Sequence, residues 1–154
     1  MITPLSGSEG WNSVLVQVMR AIVTTQELSV AAHEALVIRS GNGAMVSFNG
    51  TVRDRDHGRE VLSLEYVAHP DAQRVLKDIA DEVVSNFPSC VIAVAHRTGR
   101  MAIGDTAFAV TVGSAHRSEA FAACGVVVEA VKAALPVWKK QEFGDGSFEW
   151  VNCA

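Results

Sequence analysis

The sequence lacks most of the features that assign a chain to a class by inspection. No apolar run reaches the ~20 residues that a membrane-spanning helix needs, and the first residues show no basic stretch followed by an apolar core. Neither a membrane span nor a signal peptide is expected, and the chain is assigned to the cytoplasm. Cysteine appears only at Cys90, Cys124 and Cys153. An odd, scattered set argues against a disulfide framework and suits free thiols in a reducing compartment. The basic residues form no long run and the formal net charge is −4, which argues against general nucleic-acid binding. There is no Gly-x-Gly-x-x-Gly or Walker loop, so nucleotide binding by those routes is excluded. There is also no Gly-x-Ser-x-Gly elbow. None of His33, His57, His69, His96 and His116 pairs with another His or a Cys at zinc-ligand spacing, so no metal or other cofactor is expected.

What remains is a chain of 154 residues, 49% hydrophobic and 19% charged, enough for one domain around one core. Met1–Asn12 is rich in Gly, Ser and Pro and reads as a flexible N-terminal segment with Trp11 as an anchor; residues 13–154 form the domain. Val14–Thr24 reads as a strand, and Ser29 caps a short helix over Val30–Ile38. Ala44–Arg53 alternates as a strand. Arg53–Glu60 is a charge-dense loop whose cations balance its acids, and Val61–Ala68 alternates again. These two strands are expected to pair as a hairpin with a long mobile tip. Pro70 suits the first position of a helix whose stripe is Val75, Leu76, Ile79, Val83 and Phe87. Cys90–His96 and Thr106–Val112 are strongly apolar strands, and Phe148–Asn152 is a last strand after a Gly144-Asp145-Gly146 turn. The order, roughly β-α-β-β-α-β-β-α-β, predicts an α+β fold: a mainly antiparallel sheet packed with helices, a hammerhead-like α/β sandwich.

The stretch Ser114–Lys140 carries the chemistry. Ala120, Cys124, Val127, Val128, Val131 and Leu135 fall on one side of a helix that Pro136 ends. His116 and Arg117 stand at its start, where free N–H groups and the helix dipole attract anions. An arginine there also fits a neighbouring loop contact, and both readings stand. Lys132 sits on the flank of the stripe, either at the lip of a pocket or simply reaching solvent. Lys139 follows Trp138, which serves as a core anchor or as a stacking wall for a flat ligand; Lys140 points the other way, to solvent. Among the loop cations, Arg53 is nearest the sheet and the one expected to be held in place, whereas Arg55 and Arg59 read as solvated. Arg117 and Lys132 are fifteen positions apart on one helix, which is roughly 22 Å at 1.5 Å per residue. One small ligand cannot reach both within a chain, so either they serve two sites or a two-fold dimer brings them together, and the dimer is the economical arrangement.

The pieces GAMVSFNGTVRDRDHGREVLSLEYVAHP, HRTGRMAIGD and SAHRSEAFAACGVVVEAVKAALPVWKK together resemble the large, catalytic subunit of molybdopterin synthase. They span most of Gly43–Lys140 in the family's order and spacing. The resemblance implies transfer of sulfur from a thiocarboxylate on the C-terminal Gly-Gly of a small ubiquitin-like subunit. The acceptor is cyclic pyranopterin monophosphate, which gains the dithiolene of molybdopterin in molybdenum cofactor biosynthesis. It also implies a large-subunit homodimer within a heterotetramer. The family's active-site lysines fall on Lys132 and Lys139, and its substrate-anion residues on Arg53, His116 and Arg117, the last two reaching across the dimer. One departure stands out. Many members carry an Arg before the Trp of the last strand, where this chain has Glu149. An acid cannot bind an anion, so either another cation substitutes or the substrate contacts differ. Two alternatives follow: a non-catalytic scaffold or degenerate paralogue that binds a ubiquitin-like partner, or, on the residues alone, a dimeric small-anion sensor.

Overall fold

The structure is a computed structural model that describes residues 16–152; the expected N-terminal segment, Trp11, the first residues of the predicted strand and Cys153 lie outside the described residues. The elements run β1 (Val18–Thr24), α1 (Val30–Val37), β2 (Ala44–Thr51), β3 (Arg55–Asp56), β4 (Arg59–Ala68), α2 (Ala72–Asn86), β5 (Val91–Arg97), β6 (Gly99–Met101), β7 (Thr106–Ser114), α3 (Arg117–Ala134), β8 (Val137–Phe143) and β9 (Phe148–Asn152). They build two sheets. The first has the order β1-β5-β7-β2, and the second β3-β4-β8-β9 with β6 also paired to β4. Every pairing is antiparallel except β1 with β5, so the α+β class and the mainly antiparallel arrangement hold.

The first sheet is covered on both faces, which explains its apolar central strands. Ile92, Val94, Phe108, Val110 and Val112 pack with Leu76, Ile79 and Val83 of α2 and with Ala123, Val127 and Val131 of α3. Val37 of α1 packs with Val91 and Ala93. The stripe expected on α3 is fully buried. Ser29 caps α1 as expected, its Oγ accepting from the Ala32 N–H at 3.1 Å. Gly113 lets α1 approach this closely: a Cβ there would sit 2.9 Å from the Val37 carbonyl oxygen.

Several expectations need correction. Strands 44–53 and 61–68 do not form a hairpin. β2 pairs with β7, whereas β4 pairs with β8. The charged loop between them folds on itself: Arg55 and Asp56 pair with Glu60 and Arg59 around a two-residue turn, His57-Gly58, with φ of 49° and 78°. Such a doubly left-handed turn matches strand twist and favours glycine at its second position. In β4 the register slips between Val61 and Ser63, so the expected alternation inverts there: Val61 is buried, Leu62 is exposed, and Leu64 and Tyr66 then face inward. Pro70 precedes α2 rather than opening it; Asp71 is the cap residue. The piece after Pro136 is a full strand, β8.

Candidate active site

The second sheet and the end of α3 enclose a cavity of about 350 Å³ lined by Thr51, Val52, Arg53, Arg55, Asp56, Leu64, Tyr66, Lys132, Lys139 and Gln141. Each element delivers its residues for a local reason. Val52 continues to pair past the end of β2, its N–H donating to the Asp105 carbonyl oxygen at 3.0 Å, and Arg53 emerges at that sheet end. Lys132 lies in the last turn of α3, where a cation complements the negative end of the helix dipole. Pro136 then turns the chain into β8, whose alternation sends Lys139 and Gln141 to the cavity face and Trp138 and Lys140 to the other. Trp138 is therefore not a wall of this cavity. Lys140 is not simply solvated: its ammonium lies 4.7 Å from the Phe148 ring centroid on the opposite face.

Charge in the cavity is strongly one-sided, with four cationic side chains against the carboxylate of Asp56. That carboxylate is held by the Gln141 side-chain amide, which donates to Oδ2 at 2.6 Å, and by Arg53 Nη2 at 3.5 Å. The Gln141 hydrogen bond, with the charges of Lys139 and Arg53, keeps the Asp56 carboxyl below the usual carboxylate range. Asp56 thereby ties the small hairpin to β8. Arg53 itself is 74% exposed, so this long ion pair, not burial, restrains it.

Of the residues selected from sequence, Arg53, Lys132 and Lys139 line this one cavity, and His116 and Arg117 do not. His116 is the cap residue of α3 with no side-chain cap bond, Arg117 is its first residue, and both are exposed at the far end of the helix. Further polar or aromatic residues of the lining, among them Arg55, Asp56, Tyr66 and Gln141, were not selected from sequence. Arg55 is exposed, as read from sequence, yet it also lines the cavity because the loop is a hairpin rather than a free tip. Asp56 was counted only as charge balance. Arg59 is exposed as well but not free: its guanidinium lies 3.6 Å from the Phe143 ring centroid, and it donates to Ser147 Oγ at 2.6 Å. Glu149 stands opposite Gln141 in the β8–β9 register, but it is exposed and outside the lining.

Behind Tyr66 lies His96, fully buried. Its Nδ1–H donates to the Arg97 carbonyl oxygen at 2.9 Å, and its Nε2 has no partner. Burial, supported by the nearby Lys132 charge, pushes its pKa down to about 4 from 6.5. The unfolded imidazole takes up a proton as pH falls through 6.5, and the folded one only near 4. Stability present above the higher value is thus lost as pH falls between the two, by about 3 kcal/mol. Urea midpoints should therefore drop from about pH 7 to about pH 4, and His96→Phe should flatten most of that drop. Burial lowers His33 in the same sense, which leaves a residual slope.

Comparison with known proteins gives the scaffold its context. The family model described as MoaE protein matches residues 23–134. A molybdopterin synthase catalytic subunit from a Nostoc species is 41% identical over 132 residues, covering 84% of this chain and 80% of that protein. Molybdopterin synthase catalytic subunit 1 of Mycobacterium tuberculosis is 39% identical over 131 residues, covering 84% and 88%. Among solved structures, a chain of the molybdopterin synthase from Staphylococcus aureus superposes with a TM-score of 0.79 at 30% identity, covering 84% of this chain and 95% of that one. With a family model spanning most of its length and relatives at this identity, the chain belongs to the MoaE family, the catalytic subunits of molybdopterin synthase.

Proposed function

We propose that this chain is the sulfur-transferring subunit of a molybdopterin synthase, with the cavity around Lys132 and Lys139 as its reaction site. One observation carries the reading: on a scaffold of this family, two lysines and two arginines converge on one cavity. Both reactants are anions, the cyclic phosphate of the pterin and the thiocarboxylate tail of a small ubiquitin-like subunit, and converging cations attract and orient both. In the transfer the thiocarboxylate sulfur bonds to a pterin side-chain carbon as a carbon–oxygen bond there breaks, the oxygen departing on the opened phosphate or as water. A further water then cleaves the carbon–sulfur bond to the tail. The tail leaves as a carboxylate and the sulfur stays on the pterin as a thiolate. A second loaded tail supplies the second sulfur of the dithiolene. Lys132 holds the reacting carbonyl and its developing charge. Lys139 and Arg53 hold the pterin phosphate, and Arg55 supplies a cation that the exposed Glu149 does not.

His116 and Arg117 belong to the neighbouring subunit's site in this reading. The outer face of α3 supports a pairing with a second copy: Phe121 is 65% exposed and Val126 45%, and Ala122 and Gly125 between them leave room for a close approach. The scaffold alternative rested on Glu149, which lies outside the cavity lining and so does not favour it. The direct test mixes the protein with a thiocarboxylated small subunit and cyclic pyranopterin monophosphate, then oxidises the product to its fluorescent form. Product formation is expected. Its absence with a partner competent for another member of the family would reject the reading.

A further inference from the structure

Tyr66 is the one tyrosine of the chain and the one aromatic side chain in the cavity lining. Its register partner across β4–β8 is Lys139, and directly opposed residues project from the same face. Its ring is not held by β4 alone. The His96 ring meets it edge-on at 4.9 Å and 84°, Phe108 stacks on His96 at 5.7 Å and 26°, and Phe48 meets Phe108 at 5.6 Å and 62°. This column of four rings runs from the cavity wall into the first sheet. Three of its members are anchored on strands of that sheet, and His96 is fixed further by its bond to the Arg97 carbonyl oxygen. Phe108 is buried with the core between that sheet and helices α2 and α3. The cavity wall is thus braced against the buried core of the first sheet, a preparation that a solvated surface tyrosine would not need.

We propose that Tyr66 contacts the substrate and that His96 is its positioning residue: braced by the buried imidazole, the phenol ring forms the wall on which the flat pterin lies beside Lys139. This rests on the function proposed above and adds the part of the pocket that reads the ring system rather than the phosphate. Aromatic walls recognise flat heterocycles through their faces, and truncating one weakens binding by about tenfold or more.

The lone tyrosine makes the test direct. Protein labelled with 3-fluorotyrosine gives a single fluorine resonance, read during titration with cyclic pyranopterin monophosphate while binding is followed independently by pterin absorbance. The resonance should shift and saturate with binding. Tyr66→Ala should raise the Kd and KM for the pterin about tenfold with little change in kcat, and Tyr66→Phe should stay near wild type. His96→Ala should reproduce the Tyr66→Ala loss, His96→Phe should restore binding because it keeps a ring in the column, and Tyr66→Ala with His96→Ala should be no worse than Tyr66→Ala alone. Saturated binding without a resonance shift overturns the contact. Additive losses, or a His96→Phe variant as weak as His96→Ala, overturn the positioning role. Product formation by the wild type together with a silent resonance rejects this inference while leaving the function intact, and failure to bind the pterin at all rejects both.

Discussion

Lys132→Ala is expected to lower single-turnover conversion of the cyclic pterin by about 10²–10³-fold, as loss of one preorganised charge stabiliser does elsewhere. Rapid-quench assays with an excess of thiocarboxylated small subunit would measure it, since a single turnover removes any contribution from product release. The side chain is exposed at the last turn of α3, so the fold should be unaffected; urea midpoints should match wild type within about 0.5 kcal/mol. Lys132→Arg should recover little, because a planar guanidinium does not replace a compact ammonium at one reacting atom. Conversion at the wild-type rate in Lys132→Ala would remove this residue from the chemistry and leave the cavity as a binding pocket only.

The second large effect is expected from residues far from that cavity. A chain with both His116→Ala and Arg117→Ala should lose about a hundredfold or more in kcat/KM, although the two side chains lie at the opposite end of α3 from Lys132. A mixed dimer settles whether the loss acts across subunits. One subunit carries Lys132→Ala and the other the His116 and Arg117 changes, with the pair separated by different affinity tags. If each pocket takes its lysines from one chain and its His-Arg pair from the other, one pocket is doubly damaged and the other intact. About half the wild-type activity then returns. If all five residues act within one chain, both pockets are damaged and activity stays near zero.

Legibility from sequence followed the range over which a residue's environment is set. The α3 stripe, the Ser29 cap and the strands at 91–97 and 106–114 depend on local period and propensity, and they were readable. Strand pairing was not. Residues 44–53 and 61–68 look like hairpin partners only because they are neighbours in sequence; their pairing with β7 and β8 is decided by long-range burial. That error carried into the site. Taking 53–60 as a free tip hid that the His57-Gly58 turn folds Asp56, and with it the still exposed Arg55, against the cavity. The Gly58 in that loop was the available signal. Local geometry left Lys132 and Lys139 open between pocket and solvent; the family resemblance singled them out with Arg53, and all three line the cavity. His96 was visible only as a histidine inside an apolar strand, and nothing local tells a braced imidazole from an ordinary core residue.

The length of α3 has a consequence for how activity should depend on concentration. The helix spans 18 residues; in the proposed composite site it contributes to one pocket at each end, so a separated subunit would hold two incomplete pockets and no working one. Specific activity should then fall on dilution through the dissociation range, and it should recover on reconcentration without any refolding step.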